Sequence, residues 1–477
     1  MNRRTIMLSA VLAGFLILQS IVSARQAGEL AATPEGRIVQ SYIAAFNAQD
    51  ELQMKRFLET NLAPEALKER SVDQRMERFR MMKSDIRSIT LTGLFASRPG
   101  EVAVKARNGS GGAITLTFGF TPDPVKMTTL RIELGDQPPA QGGPPIPAGA
   151  ILDSMKQAIE SRVSADQFSG AVLIAQDSTL LYTHAWGSAD KRFSTPNTVE
   201  TKFNLGSINK LFTRLAVGQL AEAGKLSFDD HFIRYLPDYP DPEIARKVTI
   251  RQLLTMTSGM GDFFGDEFAA APKNRIRSLA DYLPFFVHKP LEFEPGTSQR
   301  YSNAGYIVLG LIIEKISGEN YYDYVNSHIV RPAGMTGTGY FEMDGVTPNL
   351  ATGYQHPGGS GSGWECNIYT APARGSSAGG GYSTVGDMLR FLRAIRSGRL
   401  LTPRYSEWIF TGALPHSDPS LPVRTGSLGI AGGAPGINAA VEYDADRDRA
   451  IIVLSNYSPP AAVDLAALLR AYMNRIR

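Results

Sequence analysis

Two side chains in this chain could carry acyl-transfer chemistry together, and a second pair could face the same cleft. Ser207 and Lys210 lie three residues apart at the head of an apolar stretch, FNLGSINKLFTRLAVGQLAEAGKLSFDD, residues 203–230. On a helix, residues i and i+3 share a face, so the hydroxyl and the amine can meet. Backbone N–H groups at the first turn favour negative charge developing on the serine. A lysine held away from water loses its proton more readily and can activate that serine as a nucleophile. Tyr301 and Asn303 form a second pair much later in the chain. They follow the turn Glu294-Pro295-Gly296-Thr297 and precede an apolar helix predicted over Ala304–Ile316. A loop between a Pro-Gly turn and a buried helix can aim polar side chains into a cleft.

Each pair alone is a weak signal. Ser188 and Lys191 repeat the spacing but are followed by RFSTPN, which is turn-like, so that copy reads as a solvated turn. Tyr324-Val325-Asn326 and Tyr472-Met473-Asn474 repeat the Tyr-x-Asn pattern inside predicted helices. The context of Ser207, Lys210, Tyr301 and Asn303 sets them apart.

The elements needed to hold these residues can be read from patterning. A helix is predicted over Ala150–Ser164, then strands Ser169–Gln176 and Thr179–Trp186 across an Asp177-Ser178 turn. The Ser207 helix is apolar nearly all round, which argues for burial, and Gly224 is a plausible cap. Thr249–Met256 is a short helix; residues 260–295 are irregular and form a candidate flap. Residues 340–376 are Gly/Ser-rich and loop-like. A helix follows over Thr384–Ser397, then strands Ile437–Tyr443 and Ala450–Asn456 and a last helix Ala461–Ile476. Strands at both ends of the region imply one sheet completed by both ends.

The chain has 477 residues, enough for two or three domains. A net charge of +3 is too small to suggest nucleic acid as a partner. The single cysteine, Cys366, excludes an intrachain disulfide, and the six histidines show no metal-ligand spacing, so no cofactor is expected. Met1–Ala24 reads as a secretory signal: Arg3 and Arg4, an apolar core Ile6–Leu18, and a small-residue site at Val22-Ser23-Ala24. That implies a periplasmic or secreted mature chain, the alternative being an uncleaved anchor. Residues 30–135 read as a separate small α+β domain: helices around Ile38, Tyr42, Ile43 and Phe46, then strands Ser88–Phe95, Val102–Ala106, Ala113–Phe120 and Lys126–Leu134. A spacer, binding or self-association role is expected there. The Pro/Gly-rich linker GDQPPAQGGPPIPAG, residues 135–149, marks the domain boundary.

FNLGSINK, LLTMTSGM, FEPGTSQRYSNAGYIVLGLIIEKISG, RPAGMTGTGY, SSAGGGYSTVGDMLRFLRAI and GGAPGINAAVEYD occur in this order between residues 150 and 477. With them, this region resembles the serine β-lactamase and penicillin-binding superfamily: class C β-lactamases, D-alanyl-D-alanine carboxypeptidases and related esterases. The resemblance implies an α+β fold, an antiparallel sheet flanked by helices with an all-helical lobe. The preceding small domain resembles the cone-like nuclear-transport-factor layout. Carried over by resemblance, Ser207 is the nucleophile, Lys210 its base or the group that tunes it, and Tyr301 the residue that passes the proton to the leaving group and activates water for deacylation. Asn303 holds the substrate amide or orients Lys210. Gly432 and Gly433 lie on the edge strand, where the Gly433 and Ser207 N–H groups form the oxyanion hole.

This chain departs from the family at the third motif. Lys-Thr-Gly or His-x-Gly is replaced by Ile430-Ala431-Gly432. A nearby Arg424-Thr425-Gly426 is an inferior substitute, the segment 410–430 looks shortened, and Met256 stands where the family often has His. Losing the cation disfavours carboxylate-bearing substrates, so the expected activity is an exported serine hydrolase acting on an ester, amide or β-lactam, with ester or neutral amide favoured. The alternatives are a catalytically impaired member that binds peptidoglycan-like or peptide ligands, and a structural envelope protein. Asp387 reads as a helix cap, Trp364, Glu365 and Cys366 as loop residues near the rim, and Arg331 as a structural anchor.

Overall fold

A computed structural model describes most of residues 30–134, together with 148–177, 179–356, 363–412 and 426–474. The secretory-signal reading of residues 1–24, most of the linker, and Arg424 and Thr425 lie outside the described residues. The chain divides into two compact units, Met1–Gly143 and Pro144–Arg477.

The first unit begins with helices α1 (Pro34–Asn47), α2 (Glu51–Asn61) and α3 (Pro64–Glu69). Thr33 caps α1 by accepting from Gly36 N, and Asp50 caps α2 by accepting from Leu52 N. Strands β1 (Ile89–Arg98), β2 (Glu101–Asn108), β3 (Ala113–Phe120) and β4 (Met127–Leu134) follow as an antiparallel meander in chain order. Alternate residues Val102, Val104 and Ala106, with Ile114, Leu116 and Phe118, turn inward against Tyr42, Phe46 and Phe57. That two-residue period is how a sheet buries one face.

The second unit opens with α4 (Ala148–Ser164), β5 (Gly170–Gln176) and β6 (Thr179–Trp186). After a single 3₁₀ turn, Gly206–Asn209, come α5 (Lys210–Glu222), α6 (Ile250–Leu254) and α7 (Asn303–Ser317). The unit ends with α8 (Val385–Arg396), α9 (Pro403–Thr411), β7 (Ser427–Ala434), β8 (Ile437–Asp444), β9 (Arg449–Ser455) and α10 (Ala461–Met473). The sheet order is β7-β8-β9-β5-β6, antiparallel throughout, so strands from both ends of the unit do complete one sheet.

The strands β5 and β9 are apolar on both faces, and the structure shows why. Val172, Ile174, Ile451 and Val453 point to a core made with Ile151, Met155, Ile159, Leu465 and Leu469 of α4 and α10. Ala171, Leu173, Ile452 and Leu454 point the other way, into the larger core that contains α5, α7 and α8. A sheet covered on both faces needs continuous apolar strands rather than alternation. The described part of residues 260–295 is not an open flap. It forms a short helix, Asp266–Ala270, and two 3₁₀ turns around the ring cluster of Phe263, Phe268 and Tyr282, all buried.

Candidate active site

Ser207 does not sit on an α-helix but in the 3₁₀ turn that feeds it, and Lys210 is the first α-helical residue. A 3₁₀ helix has three residues per turn, so side chains at i and i+3 eclipse. The tighter turn therefore brings the two side chains together more directly than an α-helix would. Two glycines make this geometry possible. Gly206 has φ +50°, a conformation favourable only without a Cβ, and a Cβ there would lie 2.9 Å from Gly433 N. A Cβ on Gly432 would fall 2.0 Å from Leu205 O and 2.7 Å from Ser207 N. The edge strand β7 can approach the backbone at Ser207 only with glycine at 432.

Lys210 is 3% exposed. Its Nζ lies 3.4 Å from Ser207 Oγ, donates to Asn303 Oδ1 at 2.6 Å, and donates to Ala378 O at 2.5 Å. The Tyr301 and Tyr306 rings stand 4.8 and 5.3 Å from it. Burial pushes its ammonium from 10.5 down to about 7; Asp262 opposes that shift and Arg214 adds to it. The amine can therefore be neutral near pH 7. In that state two N–H bonds reach Asn303 and Ala378, and the lone pair faces Ser207.

Tyr301 donates its hydroxyl to Ser207 Oγ at 2.7 Å. The residue is half exposed (48%), and desolvation pushes its phenol above the ordinary value, with the Ser207 hydrogen bond pulling the other way. Tyr301 is held at the mouth of α7 by Ser302, which caps the helix. Ser302 Oγ accepts from Gly305 N at 2.9 Å and donates to Gly261 O at 2.8 Å. The α7 helix ends at Gly318 in the left-handed conformation, φ +75°.

A second set of contacts fixes the wall that carries Ala378. Asn209, fully buried, donates to Ser376 O at 3.2 Å and to the Tyr340 hydroxyl, and accepts from Gly381 N at 3.0 Å. Thr213 Oγ1 donates to Ser377 O at 2.7 Å. The SSAGGG loop is thus pinned from the turn and helix that carry Ser207 and Lys210, and its carbonyl at 378 becomes a fixed acceptor for Lys210.

The structure brings Ser207, Lys210, Tyr301 and Asn303 into one hydrogen-bonded cluster, with Gly432 and Gly433 packed against its backbone. The other candidates lie outside it. Lys191 Nζ sits over the Trp364 ring at 4.3 Å and pairs with Asp166, while Trp364 stacks on Tyr457 at 4.2 Å and donates to Asp166. Asp387 accepts from Gly337 N and Thr338 Oγ1 and pairs with Arg390, an internal anchor, while Thr384 is the actual cap of α8. Ile430 is half-buried and packs on the larger core. Sequence reasoning missed Asp262, Asn209 and the Ala378 carbonyl. Asp262 lies in an irregular loop just past LLTMTSGM, and a main-chain acceptor leaves no trace in residue types.

A family model described as Beta-lactamase matches residues 155–472. The chain belongs to the β-lactamase family. That family is one of serine hydrolases, and among the relatives of this β-lactamase-family chain are penicillin-binding proteins. Penicillin-binding protein 4* of Bacillus subtilis (strain 168) is 38% identical over 174 residues, 36% of this chain and 38% of that protein. The putative penicillin-binding protein PbpX of the same strain is 29% identical over 291 residues, 61% of this chain and 71% of that protein. A penicillin-binding protein of Bacillus halodurans, in its crystal structure, superposes with a TM-score of 0.57 at 32% identity, covering 68% of this chain and 98% of that one. The β-lactamase-family match lies entirely within the second unit. Among the described residues no group of His, Cys, Asp and Glu could hold a metal ion. No described helix is long and apolar enough to cross a membrane.

Proposed function

We propose that this protein is a serine hydrolase that works through a covalent acyl-enzyme on an ester or neutral amide. The observation that carries this reading is the Ser207 hydroxyl, 2.7 Å from the Tyr301 hydroxyl and 3.4 Å from an amine whose pKa lies at about 7. Neutral Lys210 takes the proton as Ser207 Oγ attacks the substrate carbonyl. The Ser207 and Gly433 N–H groups receive the negative charge on the carbonyl oxygen. Tyr301 hands a proton to the leaving group; then, as phenolate or through Lys210, it takes one from the water that hydrolyses the acyl-enzyme. Asn303 holds the substrate amide and orients Lys210.

The choice of substrate rests on Ile430. A charge-assisted contact to a carboxylate is worth roughly 1.5–3 kcal/mol, about ten- to a hundredfold in affinity. An apolar side chain there removes that advantage for β-lactams and peptide C-termini but leaves acyl transfer intact. The second reading, a member with weakened chemistry that binds peptidoglycan-like or peptide ligands, is favoured by the same Ile430. Within this proposal, residues 1–24 direct export to the periplasm or beyond. The first unit, on a nuclear-transport-factor-like plan, serves as a spacer, ligand-binding or self-association module.

The test is a mass spectrum of the purified protein after incubation with a fluorophosphonate and, separately, a penicillin. An adduct on Ser207 from the phosphonate alone is expected. Adducts from both restore a penicillin-binding activity. No adduct from either, in folded protein, moves the assignment to the binding reading, and full activity in Ser207→Ala removes the site.

A further inference from the structure

Asn303 is an amide whose two ends have opposite hydrogen-bonding character, and the site uses both. Its Oδ1 accepts from Lys210 Nζ at 2.6 Å, and its Nδ2 donates to Asp262 Oδ2 at 2.6 Å. A protonated lysine only donates and a carboxylate only accepts, so this orientation of the amide is forced from both sides. Asp262 is in turn held in place. Its Oδ1 accepts from Phe264 N at 3.1 Å, its carbonyl accepts from Lys289 Nζ at 3.1 Å, and Phe263 beside it is buried in the ring cluster. The preceding residue, Gly261, is tied to the Tyr301–Asn303 segment through Ser302.

We propose that Asp262 is a positioning residue for the acyl-transfer site: it fixes which end of the Asn303 amide faces Lys210, through a relay Asp262–Asn303–Lys210. The relay rests on the reading of Lys210 as the base of Ser207. With Asp262 in place, Asn303 offers Lys210 only an acceptor, which keeps the Nζ hydrogens turned toward Asn303 and Ala378 and, once the amine is neutral, its lone pair toward Ser207. Without the carboxylate the amide can reverse and present N–H groups to the amine, which would turn the lone pair away from Ser207.

The same carboxylate acts on Lys210 through space. The charged and titratable groups facing the amine are Asp262 across Asn303, Arg214 one turn along α5, and the phenols Tyr301 and Tyr306. Asp262 is the anion of that set and favours the ammonium, whereas Arg214 disfavours it. Glu292, near Gly261, is paired with Arg300. Neutralising Asp262 therefore makes Lys210 easier to deprotonate even as it loosens its orientation.

Asp262→Asn and Asp262→Glu in the full chain separate these effects from a simple loss of structure. In ester hydrolysis followed from pH 5 to 9, Asp262→Asn should lower the plateau of kcat/KM about tenfold and move the acid limb down by about one pH unit. Asp262→Glu should recover much of the plateau. Titration of Lys210 by NMR on protein carrying ¹⁵N-lysine gives a reading independent of turnover. Its midpoint should fall in Asp262→Asn as the limb does. An unmoved Lys210 midpoint in folded Asp262→Asn overturns the proposal, as does a plateau loss with an unmoved limb. A wild-type protein that leaves ester and phosphonate untouched, yet whose Lys210 midpoint responds to Asp262→Asn, retains the relay and sinks only the hydrolase assignment.

Discussion

At the scale of single residues, the proposed chemistry turns on the protonation of Lys210. Its pKa of about 7 means that activity should rise through neutral pH as the amine loses its proton, with a plateau on the alkaline side. An acid limb at pH 4–5 would point to a carboxylate base instead. Stability carries the same signature with a definite sign. Between about 7 and 10.5 the folded state binds fewer protons at this site than the unfolded chain, so folding gains stability as pH rises through that window. Below about 7 both states are protonated and the cost of the buried cation is felt in full. Lys210→Met should cut hydrolysis by about 10²–10⁴-fold. It should also flatten the rise of wild-type Tm between pH 7 and pH 10, and parallel melting curves over that range would remove Lys210 as the titrating group. Ile430 makes a complementary case. A lysine placed there can lay its stem along the apolar wall and extend its ammonium toward the cleft. Ile430→Lys should therefore raise the rate of acylation by a penicillin about ten- to a hundredfold. The rate with a neutral ester should stay near that of the wild type. An equal change for both substrates would show that residue 430 does not read the carboxylate.

At the scale of elements, the close approach of β7 to the Ser207 turn would set the geometry of the proposed reaction. Gly432→Ala puts a methyl group where Leu205 O and Ser207 N already stand. The edge strand must then withdraw and take Gly433 N with it. Acylation should fall by about 10²-fold, the size expected for loss of one oxyanion donor. The ladder of β7 with β8 gives the variant a sheet to fold on, while the displaced strand should lower its melting temperature, so acylation is to be compared where the variant is folded. A variant that acylates normally would show that Gly433 N is not the donor. Ser302→Ala is the counterpart on the other wall. It removes the cap of α7 and the tie to Gly261 O, costing about 1 kcal/mol, read as a lower Tm. These elements differed in how legible they were from sequence. The α7 helix, the two-sided strands and the four clustered side chains were readable because apolar period, turn residues and motif spacing act locally. The 3₁₀ turn under Ser207 was not, because it depends on β7 packing against Gly206 from far along the chain. Position 256 shows the same limit. Met256 has φ +60°, a conformation that His tolerates better than most residues, so the family's frequent histidine there is intelligible as a backbone requirement only once the loop is seen.

At the scale of the whole molecule, two units with separate cores account for the described residues. The core of the first is built from residues between Leu30 and Ile132. The cores of the second are built from residues between Ile151 and Met473. No residue belongs to both sets. The helix-then-meander order of the first unit could be read from its turn residues and alternating strands. Its purpose could not, since its ordering of polar groups marks no reaction. Each unit has a core of its own, so the second should fold without the first. Residues 144–477 alone should be soluble, melt in one cooperative transition, and take a fluorophosphonate on Ser207 at the full-length rate. Slower labelling with an intact melt would give the first unit a part in substrate access. An aggregated or non-cooperative product would mean that the second unit relies on the first for its stability, and separate cores would then not imply separate folding.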